Sequence, residues 1–170
     1  VRAALEGRSL DYQGRRPLFT LRSRPVPIYI GATGPRAMRL AGQVADGVII
    51  RTALFPQVVR FCREQVHAGA REAGRDPAGI DIWFMVSASL APTRSEAVQE
   101  VKATCVSAAH SVFARRIDPL MAPPDLLPSI QEMVRRYVPA DHTRQTGQEN
   151  RNARIFDDLG IGDYLLEAFS

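Results

Sequence analysis

Three compact apolar runs constrain this chain more than anything else in it: Pro25-Val26-Pro27-Ile28-Tyr29-Ile30-Gly31-Ala32, Val48-Ile49-Ile50, and Ile80-Asp81-Ile82-Trp83-Phe84-Met85-Val86-Ser87. Runs this short and this apolar suit strands buried on both faces. Each is followed by residues at helical spacing. Thr33-Gly34-Pro35 opens the first helix, with Pro at the first helical position, where its missing N–H costs nothing. Met38, Ala41, Val44 and Ala45 mark its inner face, and Asp46-Gly47 ends it. Pro56 starts the second, which carries Val58, Val59, Phe61, Cys62, Val66, Ala70 and Ala73. Gly74 reads as the residue just past its end, and Asp76-Pro77 closes the loop. Thr93-x-x-Glu96 has the form of a capping box for the third, whose inward positions are Ala97, Val98, Val101, Cys105, Ala108, Ala109 and Val112. Strand followed by helix, three times over, predicts an α/β fold with a parallel sheet.

The flanks are different. Residues 1–7 read as the tail of a helix stopped by Gly7, and Ser9–Tyr12 with Leu18–Leu21 alternate around Gln13-Gly14-Arg15 as an exposed hairpin or loop excursion. Beyond about residue 114, Pro119, Pro123, Pro124, Pro128 and Pro139 punctuate short helical pieces such as Ile130–Tyr137. A polar stretch from Asp141 to Arg154 precedes apolar segments at 155–161 and 164–169.

A chain of 170 residues makes one domain or part of a larger one. It begins with Val, which is expected of a processed chain or a piece of a longer one. No run of ~18 apolar residues is present, so no membrane span is expected, and no signal peptide is visible. Cys62 and Cys105 build no disulfide framework, which points to a reducing, cytoplasmic setting. His67, His110 and His142 are too far apart for a familiar metal pattern, so no metal site is expected. The net charge of +4 is concentrated in residues 1–51. The basic residues there form no long run and have no interleaved aromatics for base stacking, which argues against nucleic acid.

The segment with most chemical content is Gly31-Ala32-Thr33-Gly34-Pro35-Arg36, a strand-to-helix turn. Unsatisfied N–H groups and the helix dipole favour an anion there. Two glycines permit close approach, Thr33 offers a hydroxyl and Arg36 a charge-assisted contact. The spacing matches neither dinucleotide-binding nor P-loop fingerprints. The plainer alternative is a tight turn whose glycines serve only backbone geometry. Ile50-Arg51 leaves the neighbouring strand at the same end, where parallel α/β folds bind ligands. Arg51 is either a second cation of that rim or a solvated surface residue. Ser87 and Ser89 end the third strand within reach of a ligand. Asp46-Gly47 reads as a structural turn, Trp83 and Met85 as barrel or core packing, Asp157-Asp158 as solvated or capping, and the two cysteines as core thiols. No nucleophile–base constellation assembles.

Pro25-x-Pro27 through Ile50, with Gly31-Ala32-Thr33-Gly34-Pro35-Arg36-Ala37-Met38-Arg39-Leu40-Ala41-Gly42-Gln43-Val44-Ala45-Asp46-Gly47 at its centre, resembles the luciferase-like monooxygenase superfamily. The nearest likeness is to its deazaflavin-dependent methylenetetrahydromethanopterin reductase branch. Leu5-Glu6-Gly7-x-x-x-Asp11-Tyr12-x-Gly14 and Ala70-x-x-Ala73-Gly74-Arg75-Asp76-Pro77 extend the likeness over about residues 1–100. It implies that residues 1–170 form the C-terminal part of a (β/α)8 barrel, about strands five to seven, with a helical and loop insertion at 114–154. It further implies an oxidoreductase using reduced coenzyme F420, a deazaflavin, or alternatively FMN, for hydride transfer or monooxygenation of a small molecule. The implied cofactor-binding residues are Gly31, Ala32, Thr33, Gly34, Arg36, Ile50 and Arg51; no catalytic residue transfers. A complete barrel needs ~250 residues, so the resemblance implies a missing N-terminal half, and it is compatible with a homodimer. The alternative is a non-catalytic phosphate- or cofactor-binding remnant that needs a partner. A phosphate-handling isomerase is disfavoured because no general base stands at a strand end.

Overall fold

The computed structural model describes residues 2–9, 11–17, 26–115, 117–142 and 150–170. Its elements run α1 (Arg2–Leu5), β1 (Tyr29–Ala32), α2 (Pro35–Val44), β2 (Gly47–Ile50), α3 (Pro56–Glu72), β3 (Asp81–Phe84), α4 (Arg94–Phe113), α5 (Leu127–Arg136), α6 (Arg151–Asp158) and α7 (Gly162–Phe169). The strands form one parallel sheet in the order β1-β2-β3, with Tyr29 opposite Gly47 and Gly47 opposite Asp81. Pro35 and Pro56 stand at the starts of α2 and α3 as expected, and Gly7 and Gly74 adopt the left-handed conformation (φ +68° and +66°) that ends a helix. The capping box of Thr93 and Glu96 is formed in both directions. Of the expected hairpin, an antiparallel bridge between Tyr12 and Arg15 is present, whereas Leu10 and residues 18–25 lie outside the described residues.

One face of the sheet packs on α2 and α3. Ala32, Val48, Ile50 and Ile80 join Met38, Ala41, Val58, Cys62 and Val66 in a first hydrophobic cluster, with Ile30, Ile82 and Phe84 at its border. The two helices approach until backbone meets backbone. A Cβ on Gly42 would lie 2.0 Å from the Val66 carbonyl oxygen, and one on Gly69 would lie 2.0 Å from that of Arg39. The Arg75 guanidinium donates to the Gly42 carbonyl (2.6 Å) at the edge of this contact.

The other face is open, which corrects the expectation of strands buried on both sides. Tyr29, Ile49, Trp83 and Met85 point there and are 39%, 37%, 60% and 47% exposed. Trp83 and Met85 therefore pack in no core among the described residues. Strand alternation explains this: in β3 the helix-facing set is Ile82 and Phe84, and their neighbours must face away. No second layer covers that face among the described residues.

A second cluster is built by α4, α5, α6 and α7 around Cys105, Val106, Phe113, Ile130, Met133, Ile155 and Leu165. The predicted inward residues Val101, Cys105, Ala108 and Ala109 are buried, but against these helices and not against the sheet. Phe55 and Met121 touch both clusters. The backbone N–H groups of Leu54 and Ser87 donate to the Ala168 and Phe169 carbonyls (both 2.9 Å), which fixes the end of α7 over the β2 and β3 loops. A polar knot ties residues 138–142 to 150–152. The fully buried Asp141 carboxylate accepts from the Arg151 backbone N–H (3.0 Å) and guanidinium (2.8 Å), while the Asn152 amide pairs with both backbone groups of Val138.

Asp46 is structural, as its sequence suggested. Its carboxylate accepts from the Arg2 guanidinium (2.8 Å) and the Ile28 backbone N–H (2.7 Å), holding the entry to β1. These bonds, the Arg2 bond foremost, keep the Asp46 carboxyl below the usual carboxylate range. A carboxyl lowered on folding stabilises above its unfolded pKa of about 4 and loses that contribution as pH falls further. Unfolding followed by circular dichroism is expected to show stability declining below pH ~4, with a shallower decline in Asp46→Asn. An unchanged acid limb in that variant would contradict the assignment.

Candidate functional site

The C-terminal ends of β1 and β2 lie side by side, with Ala32 paired to Ile50 and the Arg51 N–H donating to the Ala32 carbonyl (3.3 Å). The expected rim residues thus fall together. Their contributions differ. The side chains of Ala32 and Ile50 are buried in the first cluster, and the Ile50 carbonyl accepts from Met85 (2.8 Å). Gly31, Thr33 and Arg36 are exposed, and Gly34 and Arg51 are half-buried.

Gly31 and Gly34 are informative because nothing among the described residues requires glycine at either position. Neither has positive φ; Gly34 is extended at φ −135°, ψ 160°. A Cβ at either residue would meet no atom within 4 Å. The alternative of a tight turn needing glycine for its own geometry therefore fails at both. What remains is unobstructed backbone beside a helix start. Gly34 caps α2 without any side-chain bond, and Pro35 has no N–H. The N–H groups of the first turn accordingly face outward for an acceptor from outside. Among the described residues neither Arg36 nor Arg51 forms an ion pair. The Arg51 guanidinium reaches only the Met85 thioether (3.6 Å).

The structure adds residues the sequence did not single out. Thr33 and Pro35 share a small cavity of about 40 Å³ with Thr52, Asp118, Leu120 and Met121. The buried Thr52 hydroxyl donates to the Met121 sulfur (3.2 Å), and the Tyr164 hydroxyl donates to the Met121 carbonyl (2.8 Å). The segment around Met121 is thereby clamped beside the rim. Only the adjacency of Thr52 to Arg51 hinted at this. On the open face, the Asp81 carboxylate accepts from the Tyr29 hydroxyl and the Trp83 indole N–H (2.8 Å). Those bonds hold its carboxyl below the usual range, the Tyr29 bond most. Gly47 makes this possible, since a Cβ there would fall 2.3 Å from the Tyr29 ring.

Other candidates resolve simply. Burial pushes the Cys62 and Cys105 thiols up to about 11, the wrong direction for a nucleophile. Asp157 and Asp158 are exposed and pair with Lys102 and Arg136. No group of three or more His, Cys, Asp or Glu side chains able to hold a metal, and no helix long and apolar enough to cross a membrane, occurs among the described residues.

A parallel sheet flanked by helices, with open backbone and a helix start at its C-terminal ends, defines an α/β architecture of the kind that binds ligands at that edge. Within it, the chain belongs to the luciferase-like monooxygenase family, whose model matches residues 1–161. It is 35% identical over 124 residues to 5,10-methylenetetrahydromethanopterin reductase of Methanolobus tindarius, covering 69% of this chain and 37% of that protein. It is 37% identical over 79 residues to an F420-dependent glucose-6-phosphate dehydrogenase of Nakamurella multipartita, covering 46% of this chain and 23% of that one. Among solved structures, the coenzyme F420-dependent tetrahydromethanopterin reductase of Methanopyrus kandleri superposes with a TM-score of 0.60 at 19% identity, covering 99% of this chain and 46% of that chain. An F420-dependent secondary alcohol dehydrogenase gives 0.57 at 18% identity, with 99% and 44% covered. The chain spans less than half the length of these relatives.

Proposed function

We propose that this chain is the cofactor-holding part of an F420-dependent oxidoreductase, with the rim at Gly31–Arg36 and Arg51 receiving an anionic part of the cofactor. The observation that carries this is the pair Gly31 and Gly34: open backbone with no described atom where a Cβ would stand, beside a helix start without a side-chain cap and two arginines, Arg36 and Arg51, that form no ion pair with a described residue. The relatives' dependence on F420 supports a deazaflavin over FMN. When bound, such a cofactor supplies hydride transfer, and the protein's part is to hold it, orient it and exclude water. In that reading backbone N–H groups of the α2 start and the Arg36 guanidinium take the charge, while the Met121 segment walls the rim against solvent. A small organic molecule is the substrate class.

The reading also gives the open face an occupant. We take β1–β3 as consecutive strands of a (β/α)8 barrel, and Tyr29, Ile49, Trp83 and Met85 as lining its interior once further strands close it. That apolar face equally supports the second reading, a binding remnant that works only with a partner barrel half. Turnover with cofactor by the natural-length protein favours the first; binding without turnover favours the second.

The rim is tested by titrating F420 into the natural-length protein and its Gly34→Val and Arg36→Ala variants. Arg36→Ala is expected to weaken binding by about 1–3 kcal/mol, the value of a hydrogen bond to a charged group. Gly34→Val should fold normally, having open space around it, yet obstruct the anion. Unchanged affinity in both variants discards the assignment.

A further inference from the structure

We propose that His110, Tyr137 and His142 form a proton-sensitive clamp that fastens the chain leaving α5 onto α4 and loosens when His110 is protonated. Tyr137, at the C-terminal end of α5, is the hub. The His110 imidazole, from the last turn of α4, lies flat on its ring, with centroids 3.8 Å apart and planes 12° apart. The Tyr137 hydroxyl donates to the Ser107 hydroxyl oxygen (3.2 Å), one turn earlier on α4. A phenol has one proton to give, and Ser107 takes it. The bond between the Tyr137 oxygen and His142 Nδ1 is therefore donated by the imidazole N–H. The His142 ring meets the Tyr137 ring edge-on, with centroids 6.2 Å apart. One tyrosine thus ties two positions of α4 to the far end of residues 138–142.

The two imidazoles answer acid differently. His142 is exposed, and a second proton on Nε2 leaves its bond to Tyr137 intact. His110 is half-buried, and a proton there places a charge out of water and beside a second cation. Burial first, and the charge of His142 second, hold His110 below the ordinary histidine range. Attraction of a cation to the tyrosine face works the other way, but is weak where water reaches the ring. The other charges on the packed helices are engaged elsewhere: Lys102 with Asp157, Glu132 with Arg135, Arg136 with Asp158, and Asp141 with Arg151. Arg154 also has a partner, and Asp163 and Glu167 of α7 are exposed. A histidine lowered on folding stabilises while neutral, and that contribution falls away as pH drops below its unfolded value of about 6.5. The clamp is closed at neutral pH and loosens in mild acid. It contains none of the rim residues, so it stands apart from the reading of cofactor binding.

The test uses the natural-length protein and needs neither cofactor nor substrate. Histidines labelled with carbon-13 at Cε1 are followed by NMR from about pH 8 to pH 5, the span of histidine titration. His110→Gln and His142→Gln assign the two signals. His110 is expected to titrate below the ordinary range, and its midpoint to rise in His142→Gln, where the neighbouring charge is gone. Hydrogen exchange is then compared between the parent protein and His110→Gln at each pH, which cancels the pH dependence of exchange chemistry. As pH falls through the same span, the parent-to-variant ratio is expected to rise several-fold in peptides covering residues 107–113 and 137–142. It should stay flat in peptides from β1, β2 and β3. His110→Phe, which keeps a stacked ring without a titrating group, replaces His110→Gln should that variant fail to fold. A His110 midpoint at or above about 6.5, a flat ratio over residues 137–142, or an equal rise in the sheet would each overturn the clamp.

Discussion

Gly69→Ala is expected to destabilise the protein by roughly 3 kcal/mol, at the upper end of the usual cost of overpacking. Helix propensity alone predicts the opposite, since replacing Gly by Ala inside a helix gains about 1 kcal/mol. Packing decides the sign. The new methyl group would lie 2.0 Å from the Arg39 carbonyl oxygen and 2.8 Å from its Cα, both backbone atoms of a neighbouring helix. A side chain could turn aside, but here α2 and α3 must separate as rigid bodies. Separation would also loosen Ala41, Val66 and Ala70, all fully buried. Gly42→Ala meets the Val66 carbonyl in the same way, and the double variant should cost less than the sum because both force the same displacement. Urea titration of the two single variants and the double checks this; stabilisation by either single change would refute the close contact.

The second large effect is expected where a surface substitution would ordinarily be silent. The Arg151 side chain is 55% exposed, and truncation of such residues usually changes stability by no more than about 0.5 kcal/mol. Arg151→Ala should nevertheless cost about 3 kcal/mol, because it takes an ion-pair partner and its guanidinium hydrogen bonds from Asp141, whose side chain is fully buried. Desolvation of the carboxylate is the quantity that wins. Asp141→Asn is expected to be milder, and Asp141→Asn in the Arg151→Ala background should recover part of the loss. A double-mutant cycle by thermal unfolding measures the coupling, and a cycle near zero would remove the charge pair from the account.

Much of the sheet half was legible in the sequence for reasons that remain local. Pro35, Pro56, Gly74 and the Thr93–Glu96 pair encode helix ends through backbone chemistry a few residues long, and all four formed as read. The apolar runs located the strands, but they did not reveal that Trp83 and Met85 face an uncovered side. Burial of a sheet face depends on a second layer, which no property of β3 itself encodes. The rim was readable because Gly31, Gly34 and Arg36 are contiguous. Met121 was not, since it meets Thr52 from 69 positions further along the chain. The packing of α4 was obscured for a related reason: its buried residues record that one face is apolar, not which partner covers it.

The division into two hydrophobic clusters has a consequence for synthesis. The first is drawn from residues 32–80 and the second almost wholly from residues 101–169, so the boundary between them nearly coincides with the chain order. A ribosome working toward the C-terminus releases β1, β2 and β3 with α2 and α3 before α4 to α7. Most contacts can then form between near neighbours in sequence, a topology that favours rapid folding. Ala53 and Phe55 are the exceptions, made early and placed in the later cluster. They give the nascent helical half a ready surface on which to assemble.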